Sequence, residues 1–115
     1  MEEEQTTPKI TISFSDLRHT EDTCKLIPFG IALVASNALR IFKDKIDVDL
    51  FKNPNEFIKH LETNIPKIVC FSNYIWNSNL SYEFAKRIKE KSPNTIVIFG
   101  GPNYPLDAEE QESFL

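Results

Sequence analysis

Several residue types and patterns are scarce in this 115-residue chain, and each scarcity argues against a class of protein. No apolar run approaches the roughly 20 residues of a membrane helix, and the acidic start at residues 1–4 is unlike a secretory signal. Thirteen basic against seventeen acidic residues give a net charge of −4, which argues against nucleic-acid binding. We therefore expect a cytoplasmic protein that binds neither membranes nor nucleic acids.

The common catalytic and metal-binding motifs are also missing. Cys24 and Cys70 have neither zinc nor redox-motif spacing, so both are expected to be free thiols, with Cys70 inert in the core. No G-x-G-x-x-G, Walker A or G-x-S-x-G sequence is present. His19 has no second metal ligand at a useful spacing, and His60 is expected at the surface. We therefore name no catalytic residue and expect no turnover from this chain alone.

The apolar pattern alternates between the periods of strands and of helices. Residues 1–8 are polar and are predicted to be disordered. The helix at 30–43 is expected to be well buried, and the continuous apolar runs at 67–72 and 95–99 indicate strands that are buried on both faces. Strands are predicted at 9–15, 47–51, 67–72 and 95–99, and helices at 30–43, 54–65, 77–89 and 107–115, with Asn77 or Asn79 as the cap of the third helix.

Strands separated by single helices imply parallel pairing and right-handed crossovers. The sequence therefore predicts an α/β fold with a doubly wound parallel sheet. Such domains usually have five or more strands, whereas four are predicted here and the chain stops inside a predicted helix. We expect either a domain that is truncated at its C-terminus or an exposed edge at 95–99 that pairs with another chain, as in a homodimer.

Ligands of such sheets bind beyond the carboxyl ends of the strands. Gly100 and Gly101, two of only three glycines, either leave room for a bulky ligand or form a plain turn before Pro102. The loop at 72–77 brings aromatic and polar groups to the same edge, where Trp76 either stacks on a planar ligand or packs on the next helix. The candidate binding residues are Ser72, Asn73, Tyr74, Ile75, Trp76, Asn77, Gly100, Gly101 and Pro102.

The segments 71–77, 80–89 and 98–102, with the helix entry at 28–31, resemble the cobalamin (vitamin B12)-binding domain at the N-terminus of many radical S-adenosylmethionine (SAM) enzymes. This resemblance covers about residues 9–115 and implies a flavodoxin-like Rossmann domain with strand order 2-1-3-4, the usual last strand being absent. It implies that Ser72 faces the nucleotide tail of cobalamin and that residues 74–76 line the corrin. It also implies that Gly100 and Gly101 leave room for the tail.

Two departures from the family pattern narrow these expectations. Many cobalamin domains carry D-x-H-x-x-G after the first strand and ligate cobalt through its histidine, but residues 16–21 read Asp-Leu-Arg-His-Thr-Glu. We therefore expect base-off cobalamin without a histidine ligand and do not count His19 as one. No C-x-x-x-C-x-x-C is present, so the resemblance places S-adenosylmethionine and a 4Fe–4S cluster in a downstream iron–sulfur barrel.

The resemblance implies a parent enzyme that performs methyl transfer or a radical rearrangement. The alternative is a Rossmann-like protein-interaction module that has lost its ligand. The absent histidine motif and the truncated sheet favour that second hypothesis.

Overall fold

The computed structural model describes residues 8–18, 29–102 and 107–114, and every structural statement below concerns those residues. Strands and α-helices alternate along them, with a short 3-10 turn at Lys43–Lys45. The predicted elements are confirmed to within two residues at each end, while His19, Cys24 and residues 1–7 lie outside the described ranges. The elements are β1 (Ile10–Ser15), α1 (Phe29–Phe42), β2 (Ile46–Phe51), α2 (Pro54–Thr63), β3 (Ile68–Ser72), α3 (Ser78–Lys91), β4 (Ile96–Gly100) and α4 (Ala108–Phe114).

The four strands form one parallel sheet in the order β2-β1-β3-β4, which confirms the predicted doubly wound α/β fold. The strand order changes direction between β1 and β3, so their carboxyl ends define the switch point at which open parallel sheets bind ligands. Helix α1 packs on one face of the sheet, which we call the open face. Helices α2 and α3 pack on the other, which we call the closed face.

The closed face holds the larger core, and much of it is aromatic. The Phe57 ring of α2 is fully buried, with its centroid 5.0 Å from that of Phe51 and 5.2 Å from that of Phe84. Phe71 stacks on Phe99 of the neighbouring strand at 5.3 Å. These aromatic pairs join both helices to three strands, so this face fixes where β3 and α3 meet.

Two expectations about burial are wrong on the open face. Ile96 and Ile98 are 50% and 47% exposed, so β4 is not buried on both faces. Helix α1 is not well buried either, since Leu33 and Val34 are 67% and 58% exposed. Helix α1 packs on this face near β1 and β2, and the exposure of Ile96 and Ile98 shows that the β4 side is open.

The second helix begins as its sequence predicts and ends slightly earlier. Asn53 is the N-cap of α2, and its Oδ1 accepts hydrogen bonds from the backbone N–H groups of Asn55 (2.8 Å) and Glu56 (3.4 Å). Pro54 takes the first helical position. The helix ends at Thr63 rather than at Ile65. Ile65 precedes Pro66, and helical backbone angles are unfavourable for a residue before proline.

Candidate functional site at the carboxyl edge of the sheet

The candidate site lies where β1, β3 and β4 end side by side. Strand register pairs Ser15 with Phe71 and Ser72 with Gly100, so the loops that follow these strands share one edge. Two of the described segments that meet there are 16–18 and 73–77. The structure thus brings the sequence-predicted residues 72–77 and 100–102 to one end of the sheet.

An aromatic pair stands at this edge. The rings of Tyr74 and Trp76 are stacked with centroids 4.5 Å apart and planes 7° from parallel. Trp76 is 53% exposed and Ile75 is 85% exposed, so this loop presents a flat apolar surface to solvent. Trp76 thus stacks on Tyr74 and is half exposed, and its stacking on a planar ligand stays a prediction.

Arg18 completes this group, although sequence reasoning did not select it. Its guanidinium carbon lies 6.0 Å from the Tyr74 ring centroid and 5.4 Å from that of Trp76, within the range of cation–π attraction. Its Nη2 also lies 3.2 Å from Oδ2 of the buried Asp16. A signal was present in the sequence, because Arg18 follows Asp16 at the spacing at which D-x-H places its histidine.

Backbone hydrogen bonds hold the loop after β1 in place. The Asp16 N–H donates to the Phe51 carbonyl at 2.9 Å, and the Arg18 N–H donates to the Lys52 carbonyl at 3.0 Å. Two backbone hydrogen bonds to the end of β2 therefore hold the three residues that follow β1. Leu17 is fully buried between these two residues and anchors the loop in the closed-face core.

The two glycines of the Gly100–Gly101 pair have different surroundings. No described atom lies within 4 Å of where a Cβ would stand on Gly100, so this position is open among the described residues. Gly101 has φ +107°, and a Cβ there would lie 2.9 Å from the Asn73 carbonyl oxygen. Gly101 is therefore required by the approach of the Asn73 backbone, whereas Gly100 leaves room beside Ser72, its register partner on the open face.

Three predicted site residues differ sharply in exposure. Asn73 is 2% exposed and its N–H donates to the Gly100 carbonyl at 2.6 Å, so it joins the ends of β3 and β4. Asn77 is fully buried, and its amide bonds to the protein itself. Pro102 is exposed at the end of this edge. Only part of the predicted set therefore faces open space.

Cys70 and His60 are the titratable groups of the described residues that the sequence singled out away from this edge, and neither is placed for catalysis. Burial raises the pKa of the Cys70 thiol from 9.0 to about 11, which disfavours the reactive thiolate. His60 is not a plain surface residue, because its ring lies 4.8 Å from that of Phe51. Its Nε2 lies 3.4 Å from Ser13 Oγ and 3.8 Å from Asp49 Oδ2. Since one nitrogen faces both groups, this is not the relay of a hydrolase, in which each ring nitrogen has its own partner.

Three further features of the described residues bear on other kinds of site. Within the described ranges, no cluster of three or more histidine, cysteine, aspartate or glutamate side chains could hold a metal ion. An open groove of about 740 Å³ lies between α2 and α3, but no residue of the carboxyl edge lines it. None of the helices in this part of the chain has the length and apolar character needed to cross a membrane.

Comparison with known proteins shows the family to which the chain belongs. The family model of the B12 binding domain matches residues 23–114, and the chain belongs to this family. The cobalamin-dependent radical SAM methyltransferase TokK of Streptomyces tokunonensis is 40% identical over 40 residues, which are 35% of this chain and 6% of that protein. The alignment thus spans a small part of that relative's length. No solved structure gives a significant match.

Family membership confirms the resemblance inferred from the sequence, and the observed strand order confirms the flavodoxin-like arrangement that it implied.

Proposed function

We propose that this chain, over residues 9–115, binds cobalamin across the carboxyl edge of its sheet and serves as the cobalamin-binding domain of a radical SAM enzyme. The free space at Gly100 carries the proposal. It lies beside Ser72 on the open face, and the exposed Tyr74–Trp76 stack stands at the same edge. A wide ring system with a tail needs both a flat apolar platform and a slot without side chains, so the residues present fit the cofactor.

Each part of the edge has a role in this proposal. Ser72 and Gly100 border the slot for the nucleotide tail, while Tyr74, Ile75 and Trp76 line the corrin. Asn73, Asn77, Gly101 and Pro102 shape the edge around them. Cobalamin supplies the cobalt-centred chemistry when bound, and the chain binds it, orients it and limits its contact with water.

The parent enzyme of this proposal is cytoplasmic and transfers a methyl group or performs a radical rearrangement. S-adenosylmethionine and a 4Fe–4S cluster belong to its downstream barrel. Cobalamin is held base-off and without a histidine ligand, since Arg18 stands where the D-x-H motif places histidine. The similarity to a cobalamin-dependent radical SAM methyltransferase supports this parent.

Titration with hydroxocobalamin tests the binding proposal directly. Trp76 is the single tryptophan, so quenching of its fluorescence reports binding at this edge, while the visible spectrum reports the state of the cofactor. Gly100→Leu places a side chain in the slot, where its Cβ would meet no described atom within 4 Å, and we expect at least about tenfold weaker binding. Tyr82→Leu is the control, because Tyr82 is an exposed residue of α3 on the closed face.

Equal affinity of Gly100→Leu and the wild-type protein would remove Gly100 from the site, and no spectral change with the wild-type protein would remove the function. Electron paramagnetic resonance of the cob(II)alamin complex tests the base-off state. A nitrogen superhyperfine splitting from an axial ligand would contradict it.

A second candidate, a protein-interaction module, is favoured by the open face. Ile96 and Ile98 are half exposed on β4, which is an edge strand of the sheet. A homodimer that pairs through residues 95–99 would extend the sheet at this edge and place the partner's strand beside Ile96 and Ile98. Light scattering should then show a dimer that Ile98→Lys converts to a monomer, whereas a monomeric wild-type protein would argue against this candidate.

A further inference from the structure

Two asparagines occupy the same place in successive units of the fold and make different bonds. Asn53 immediately precedes α2 and Asn77 immediately precedes α3. The Asn53 side chain caps its helix in the usual way. The Asn77 side chain makes no capping bond, and its Oδ1 instead accepts from the N–H of Tyr74, three residues before Asn77, at 2.8 Å.

The amide nitrogen of Asn77 also bonds within the site rather than to its helix. It donates to the Ser72 carbonyl at 3.0 Å and to the Leu17 carbonyl at 3.2 Å, and it lies 3.5 Å from Asp16 Oδ1. Asn77 is fully buried, so its removal would leave an N–H group and two carbonyl groups without these partners away from water. One side chain thus links the loop after β3 to the loop after β1.

Each of the two linked loops carries a part of the group formed by Tyr74, Trp76 and Arg18. The loop after β3 carries Tyr74 and Trp76, and Asn77 fixes the backbone of Tyr74 directly. The loop after β1 carries Arg18, which is paired with the Asp16 carboxylate beside Asn77. The aromatic stack and the cation beside it therefore share one buried anchor.

We infer that Asn77 is a positioning residue, which holds the Tyr74–Trp76 pair parallel and keeps Arg18 beside it before any ligand arrives. Because it is fully buried, it acts through the loops and not by touching the ligand. A surface that is already ordered loses less conformational entropy when it binds, so this anchor raises affinity. The effect on affinity rests on the proposed cobalamin function, whereas the hold on Trp76 does not.

Asn77→Ser separates positioning from helix capping. Serine caps helices about as well as asparagine, so a residue that only started α3 would tolerate the change. Its shorter side chain cannot bridge Tyr74, Ser72 and Leu17 together. Asn77→Asp is the second variant, since it keeps the shape and the capping ability but loses the N–H donors. Asn53→Ser is the matched control at the start of α2.

Acrylamide quenching of Trp76 in the ligand-free proteins is the first measurement. Loss of the anchor should expose the whole indole, so that the quenching constant rises about twofold from its value at 53% exposure. The near-ultraviolet dichroism of the stacked rings should fall as well. Asn53→Ser should change neither signal. Wild-type quenching and dichroism in a folded Asn77→Ser or Asn77→Asp would overturn the inference, and if one variant does not fold, the other decides.

Cobalamin titration of the same proteins is the second measurement. We expect about tenfold weaker binding for both Asn77 variants and unchanged binding for Asn53→Ser. Unchanged affinity in a variant with altered quenching would overturn the role of Asn77 in binding. Failure of the wild-type protein to bind would instead reject the proposed function, while the quenching result still decides whether Asn77 holds Trp76.

Discussion

The two faces of the sheet differ in how they are covered, although β3 and β4 present apolar side chains to both faces. On the closed face, Phe57, Val69 and Phe71 are at most 2% exposed. Among the described residues, nine of the thirteen exposed large apolar side chains lie on the open face or on α1, namely Ile10, Leu33, Val34, Leu39, Ile41, Phe42, Leu50, Ile96 and Ile98. An apolar run therefore predicts a strand, but the helices that cover it decide whether the strand is buried.

The largest expected effect comes from truncating one aromatic residue on the closed face. Phe57→Ala removes a fully buried ring that contacts Phe51, Phe71 and Phe84. We expect it to lower the free energy of unfolding by about 3–5 kcal/mol, because the lost burial is joined by the cost of a cavity. Urea denaturation followed by far-ultraviolet circular dichroism measures the change.

Ile98→Ala is the matched substitution on the open face. Ile98 is 47% exposed, so its truncation should cost about 1 kcal/mol or less. A cost similar to that of Phe57→Ala would mean that Ile98 is covered in solution. The difference between the faces would then vanish, and the protein-interaction candidate would gain support.

The sequence predicted the fold well, because each element has its own local signal. Asn53 and Pro54 mark the start of α2 by themselves, without any distant contact. The period of the apolar residues separates strands from helices. The exposure of β4 could not be predicted in the same way. The burial of a strand depends on whether a helix packs on each of its faces. The apolar run at 96–100 does not indicate whether a helix packs on its open face.

The site was predictable as a location and less so as a set of contacts. The residues at 72–77 and 100–102 do meet at one edge, because parallel strands end together. Sequence alone could not distinguish Asn77 from Asn53, since both precede a helix after a strand. It could not distinguish Gly100 from Gly101 either, because only the approach of the Asn73 backbone makes one of them obligatory.

A smaller effect is expected at Cys70, in the rate at which its thiol is alkylated. This rate measures whether α1 shields β3 on the open face. Cys70 packs with Phe14, Ile31 and Ala35, and burial raises its pKa from 9.0 to about 11. At pH 8 the thiolate fraction should be about a hundredfold lower than in the unfolded chain. In a Cys24→Ser background, we therefore expect iodoacetamide to alkylate the folded protein about a hundredfold more slowly than the urea-unfolded protein.

The same pKa shift of Cys70 fixes the sign of a pH dependence. Between pH 9.0 and about 11 the unfolded thiol ionises while the native thiol stays protonated, so the unfolded state binds fewer protons. The free energy of unfolding should then fall across this window, and less so when Cys70→Ala is added to the Cys24→Ser background. Equal alkylation rates in the folded and unfolded protein would mean that β3 is as accessible as β4, so that α1 protects none of the open face beyond β1 and β2.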